Sequence, residues 1–229
     1  MRRALLAEGL GSLLLAATVI GSGIMAESLA NGNVALALLA NTAATVAVLA
    51  VLIALLAPIS GAHFNPAVSL VQTLRGKLTW REAGGYVLAQ VLGCSLGAIL
   101  AHAMFALPLI ETSLHARTGF PQWLGELVAT FGLVLVILGI RRSQDAPWMV
   151  AGWIGAAYWF TSSTSFANPA ITIARALSNT FAGIAPSHVS GFVIAQLLGA
   201  IAAIPVARAL RGPEGNSAEA ASSQVKYVE

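Results

Sequence analysis

The sequence predicts an all-α membrane protein in which six transmembrane helices and two re-entrant half-helices form an inverted repeat. Three observations carry this prediction. Of the 229 residues, 57% are hydrophobic and 9% charged, far from the roughly 25% charged expected of a soluble domain. The apolar residues gather into six runs, each near the roughly 20 residues that cross a bilayer as a helix. Three short markers also recur in the same order in both halves of the chain.

The six spans lie at about 4–26, 34–59, 84–106, 124–140, 147–164 and 189–210. Arg2 and Arg3 followed by apolar residues resemble a secretory leader in outline, but the apolar stretch is too long and holds Glu8. It therefore reads as the first membrane helix. Six spans put both termini on one side. Ten of the twelve Lys and Arg then fall on the side of the termini, leaving Arg117 and Arg175 opposite. By the positive-inside rule both termini are cytoplasmic, and the expected location is the cell (inner) membrane. Because the basic residues lie between spans rather than in one patch, the net charge of +3 does not indicate nucleic-acid binding. A single membrane domain over 1–211 is expected, followed by a polar cytoplasmic tail over 212–229 that is too poor in apolar residues to order itself. Cys94 is the only cysteine, which excludes an intrachain disulfide and a cysteine metal cluster.

The repeats cover about 4–106 and 122–210. Glu8 opens the first span and Glu126 the fourth; Asn65-Pro66-Ala67 follows the second and Asn168-Pro169-Ala170 the fifth; Gln90 begins the third and Gln196 the sixth. Three spans per repeat is an odd number, so the second repeat enters the membrane upside down relative to the first.

After each Asn-Pro-Ala comes a short apolar segment, Val68 to Leu74 and Ile171 to Leu177. With about ten helical residues each covers about 15 Å, half the hydrocarbon thickness. Asn is a favoured N-cap and Pro a favoured first helical residue, so the motif spells a helix start. Irregular backbone at membrane depth is tolerated where protein surrounds it or water lines it, and a pore wall meets that condition. Inverted symmetry brings the two positive helix ends together near the midplane, where a cation is disfavoured and a neutral molecule is not. Each Asn can cap its helix through oxygen and present its amide NH2 to a passing solute. A water oriented by both would relay a proton poorly.

Two such motifs after equivalent spans, with the run Ser60-Gly61-Ala62-His63-Phe64-Asn65-Pro66-Ala67-Val68, resemble the aquaporin and aquaglyceroporin family over about residues 4–210. The resemblance implies a right-handed bundle of six tilted helices, one pore per subunit and a homotetramer. Its expected partners are small neutral solutes and the lipid bilayer; no cofactor, metal or catalytic residue is implied. By the same resemblance the pore constriction comprises Asn65, Pro66, Ala67, Asn168, Pro169 and Ala170. The outer selectivity filter falls at Thr45, Ala156, Ser165 and Ile171, with Tyr158 and Phe166 as alternatives if the loop is shifted. Strictly water-selective members carry Arg directly after the second motif, where this sequence has Ile171; Arg175, four residues on, is expected to lie one turn away from that place. A wider, more apolar filter is the consequence. The runs Ala101 to Pro108 and Ser165 to Ala170 look like the bacterial subgroup linked to arsenic resistance, which adds neutral arsenite and methylated arsenicals to water and glycerol-like polyols as candidate solutes.

Glu8 and Glu126 are intramembrane carboxylates that could serve a proton relay. Their symmetric placement instead suggests a loop scaffold accepting backbone N–H groups that lipid cannot satisfy. His63 is placed at the cytoplasmic approach to Asn65. Gly11, Gly93, Gly97 and Gly199 are expected to permit close helix crossing. The rival reading is a coupled secondary transporter, which also uses inverted repeats and broken helices. An intramembrane enzyme would need a nucleophile with its base or a His-Glu-x-x-His ligand set, and neither pattern occurs.

Overall fold

The computed structural model describes residues 1–225, with side chains through Arg211, so the tail expected over 212–229 lies outside the residues described in full. Among the described residues eight α-helices follow one another: α1 (Arg2–Leu29), α2 (Val34–Ser60), α3 (Pro66–Leu74), α4 (Trp80–Met104), α5 (Phe120–Gly139), α6 (Ala146–Phe160), α7 (Pro169–Arg175) and α8 (Pro186–Val225). A 3-10 turn, Ser143–Asp145, precedes α6.

Local signals set the ends. Asn33 caps α2 by accepting from the Leu36 N–H at 3.1 Å, and Gly61 closes that helix in the left-handed region at φ 86°. Thr79 and Glu82 form a reciprocal capping box at the start of α4, which satisfies amide groups that have no partner within the helix. Among the described residues five helices are long and apolar enough to cross a membrane. The sixth, α6, has 15 residues, about 22 Å at 1.5 Å per residue. The span expected to reach residue 164 stops at Phe160 because the chain turns there into the loop that leads to the second Asn-Pro-Ala. The half-helices α3 and α7 have 9 and 7 residues.

The packing obeys the repeat. Helix α1 packs on α2 and α4 as α5 packs on α6 and α8, and each half-helix crosses to the other repeat, α3 onto α8 and α7 onto α4. These crossings are close. A Cβ on Gly93 would sit 2.3 Å from the Gly9 carbonyl, and one on Gly199 would sit 2.3 Å from the Leu127 carbonyl, so only hydrogen fits between the backbones at equivalent points of the two halves. The outward surface is apolar, with Leu88, Leu92 and Leu96 exposed one turn apart on α4, as lipid-facing residues are. The buried face carries the polar side chains Glu8, Gln90, Glu126 and Gln196.

Candidate functional site

The loops that deliver the two Asn-Pro-Ala motifs have little secondary structure, so their amides need other acceptors. Glu8 supplies them in the first half: its Oε1 accepts from the Ser60 hydroxyl at 2.6 Å and the His63 N–H at 2.9 Å, and its Oε2 from the Phe64 N–H at 2.7 Å and Gln90 Nε2 at 2.8 Å. Glu126 repeats the pattern. It accepts from the Phe166 and Ala167 N–H groups, both at 2.8 Å, from Gln196 Nε2 at 2.6 Å, and from Ser163. In each half the two backbone donors are the residues immediately before the asparagine. Both carboxylates are fully buried, and a buried carboxylate is tolerable when charge-assisted hydrogen bonds surround it. The loops also share backbone conformation: Ala62 and Phe64 have φ of 50° and 47°, and their equivalents Ser165 and Ala167 have 49° and 47°. Such positive values cost energy in non-glycine residues and persist where surrounding bonds impose them.

So held, the asparagines meet. Asn65 Oδ1 accepts from the Ala67 N–H at 2.9 Å while its Nδ2 donates to the Ala167 carbonyl at 2.7 Å; Asn168 Oδ1 accepts from the Ala170 N–H at 3.0 Å while its Nδ2 donates to the Phe64 carbonyl at 2.8 Å. Each asparagine thus caps its own half-helix and ties it to the opposite loop. An amide NH2 carries two hydrogens, so one on each side chain is left for a solute. Both asparagines line the same cavity, of about 420 Å³.

The wall of that cavity is built from stripes at helical spacing. Thr45, Leu49, Ile53 and Ala57 line it from α2, and Ala146, Val150, Ile154 and Tyr158 from α6. Four-residue steps keep one helix face toward the lumen, and the two stripes occupy equivalent helices of the repeat. The Tyr158 hydroxyl lies 3.4 Å from Thr45 Oγ1, which puts these two residues at the same end of the cavity.

Of the expected filter residues, Thr45, Ser165 and Ile171 line this cavity. Ala156 does not: it is exposed on the outside of α6, and Tyr158 stands in the lining instead. Two residues on an α-helix are about 200° apart, so both cannot face the lumen. Phe166, the other alternative, also lines it. Arg175 was not among the expected filter residues. It is one turn from Ile171 along α7, but that same spacing puts both on one helix face, and Arg175 lines the cavity with 4% exposure. The signal was an arginine within an otherwise apolar half-helix.

At the opposite end His63 lines the cavity and its Nδ1 is 3.0 Å from the Ser69 hydroxyl. His102, fully buried, contacts the Pro108 carbonyl through Nδ1 and the Ser178 hydroxyl at 2.8 Å through Nε2, a structural tie between the end of α4 and the loop after α7. Arg117 donates to the Gly183 and Phe181 carbonyls at 2.8 and 3.3 Å. Burial lowers its pKa, and Glu126 and Tyr158 oppose that shift. Among the described residues no group of three His, Cys, Asp or Glu side chains comes together to hold a metal.

Comparison with known proteins agrees with this architecture. The family model described as Major intrinsic protein matches residues 1–156. Aquaglyceroporin AqpS of Rhizobium meliloti (strain 1021) is 56% identical over 215 residues, covering 93% of this chain and 92% of that protein. Aquaporin NIP1-1 of Zea mays is 32% identical over 154 residues, covering 63% of this chain and 53% of that protein. The X-ray structure of the aquaglyceroporin from Plasmodium falciparum has the same fold, with a TM-score of 0.69 over 90% of this chain and 98% of that one at 21% identity. The chain therefore belongs to the major intrinsic protein family of aquaporins and aquaglyceroporins, as a multi-pass membrane channel that passes small uncharged solutes passively and is not an enzyme.

Proposed function

We propose that the solutes are water and glycerol-like polyols, that Asn65 and Asn168 with their Pro and Ala neighbours form the central constriction, and that ions and protons are excluded there. The reciprocal bonding of the two asparagines within one cavity is the observation that carries this reading. Both positive helix ends point at the crossing, where a cation would be repelled, and the two free amide hydrogens select for an oxygen acceptor. Glu8 and Glu126 act as loop scaffold, since their oxygens are already occupied by backbone and side-chain donors. That occupancy weighs against a coupled transporter, which needs a deep carboxylate free to take up its coupling ion.

The outer filter is read as Thr45, Ser165 and Ile171 with Tyr158, and His63 marks the approach at the other end. Neutral arsenite and methylated arsenicals extend the solute list on the motif runs noted above. A homotetramer in the inner membrane with both termini cytoplasmic completes the proposal. It is supported by the family and by the ten-to-two distribution of basic residues, in which the outer pair, Arg117 and Arg175, are tied to the loop after α7. Stopped-flow light scattering on proteoliposomes tests it: entry of glycerol and of neutral arsenite well above protein-free vesicles is expected. Fast water with no solute entry would refute the polyol reading.

A further inference from the structure

Behind the outer end of the cavity, and outside its lining, lies the fully buried His102, which belongs to neither the constriction nor the filter. We propose that His102 is a positioning residue of the outer pore: through Ser178 it fixes the loop after α7, and so sets the width of solute that the filter admits. This rests on the channel reading above.

The imidazole stands where three segments meet. It belongs to the last turn of α4, and each of its nitrogens reaches a different loop. Nδ1 meets the Pro108 carbonyl in the loop after α4, and Nε2 lies 2.8 Å from the Ser178 hydroxyl in the loop after α7. A carbonyl only accepts, so Nδ1 carries the hydrogen, and in the neutral ring Nε2 is left to accept from Ser178. Ser178 Oγ is in turn 2.8 Å from Thr180 Oγ1, so the hydroxyls run in one order, Thr180 to Ser178 to His102. A buried ring with two polar atoms is costly unless both are bonded, and here both are. Apolar contact has no direction, whereas these two bonds specify one placement of the loops. Matching Gln90 with Gln196 pairs His102 with Arg208, which is exposed. The buried histidine is therefore no part of the scaffold written in both halves; it serves the outer end alone.

From Ser178 the constraint reaches the lumen by two routes. Thr180 begins a turn closed by the Gly183 N–H on the Thr180 carbonyl at 2.8 Å, and that turn carries the Ala182 carbonyl, which accepts from Arg175 Nε. Next in the chain Ile184, fully buried, packs in one cluster with Phe166 and Phe192. Arg175 and Phe166 both line the cavity. The loop has no slack on this side: a Cβ on Gly183 would lie 2.3 Å from the Ser113 hydroxyl and 2.4 Å from the Ser178 carbonyl. Other bonds fasten the two loops to each other, among them Glu111 N–H to the Leu177 carbonyl at 3.0 Å and Leu114 N–H to Asn179 Oδ1 at 2.9 Å. Without the histidine the loop thus stays attached, and what changes is how far Phe166 and Arg175 yield to a wider solute.

The test is the ratio of erythritol to glycerol permeability, two polyols of different width, measured on proteoliposomes and corrected for protein-free vesicles. His102→Ala is expected to raise the ratio by about threefold to tenfold, the range that the loss of one buried hydrogen bond spans. Ser178→Ala should raise it by a similar factor, and the double variant should add little to either, because both remove the same bond. His102→Gln keeps an acceptor near Ser178 and should restore a ratio close to wild type. His102→Asn is too short to reach Ser178 and should not. If the histidine only helps the protein fold, the variants would lower both permeabilities together and leave the ratio unchanged; that result, or a ratio that falls, would overturn the proposal. Should His102→Ala fail to reconstitute as folded protein, Ser178→Ala decides, since an unchanged ratio there overturns it equally. Wild-type protein that conducts neither solute would instead refute the channel reading.

Discussion

Asn65 donates its side-chain amide to the Ala167 carbonyl, 2.7 Å away and 102 residues later in the chain. The bond joins the two halves at the point where their half-helices meet, and Asn168 returns it to the Phe64 carbonyl at 2.8 Å. Each asparagine uses its oxygen within its own repeat and its nitrogen across the repeat interface, so helix capping and pore assembly depend on the same side chain.

Asn65→Asp separates those two roles. The capping oxygen survives, but the donor is lost and a carboxylate faces the Ala167 carbonyl. Partial cancellation of the positive helix ends should let cations through. The expected result is ionic current in planar bilayers where wild type has none, together with a stability loss of about 1–3 kcal/mol from the unpaired carbonyl.

Glu126→Gln distinguishes a scaffold from a proton relay. The Phe166 and Ala167 amides would meet a side chain that is half donor, and the carboxylate's charge-assisted bonds would be lost. A cost of about 3–5 kcal/mol follows, read as a fall in detergent melting temperature with loss of flux. A relay would instead leave the fold intact and make wild-type flux respond to a proton gradient.

The face of α6 is tested by a pair of variants. Ala156→Trp places bulk on the exposed side and should leave glycerol flux within about twofold of wild type, a change under about 0.5 kcal/mol, typical of surface sites. Tyr158→Ala removes an aromatic ring from the lumen and should raise permeability to solutes larger than glycerol.

Ile171→Arg would set a second guanidinium one turn inside Arg175. Large solutes should be lost before water is, seen as a falling glycerol-to-water permeability ratio. An unchanged ratio would remove Ile171 from the filter.

Much of this architecture was legible in the residues because the inverted repeat is written twice. Glu8 with Glu126, Gln90 with Gln196 and the two Asn-Pro-Ala motifs occupy matched places in both sequence and structure. The half-helices were readable from Asn and Pro alone, since capping is a local property. The filter was less so. Whether Ala156 or Tyr158 faces the lumen depends on the phase of α6, which an all-apolar helix does not reveal. That Arg175 also lines the cavity was missed for a related reason: its distance from Ile171 along the helix was counted, but the face they share was not.

Passive conduction of neutral solutes is tested most directly by glycerol entry into proteoliposomes with a pH dye trapped inside, with and without an imposed proton gradient. The structure predicts glycerol entry well above protein-free vesicles, equal with and without the gradient, and no accompanying pH change. Glycerol entry that required the gradient, or that acidified the lumen as it proceeded, would contradict it and favour a coupled transporter.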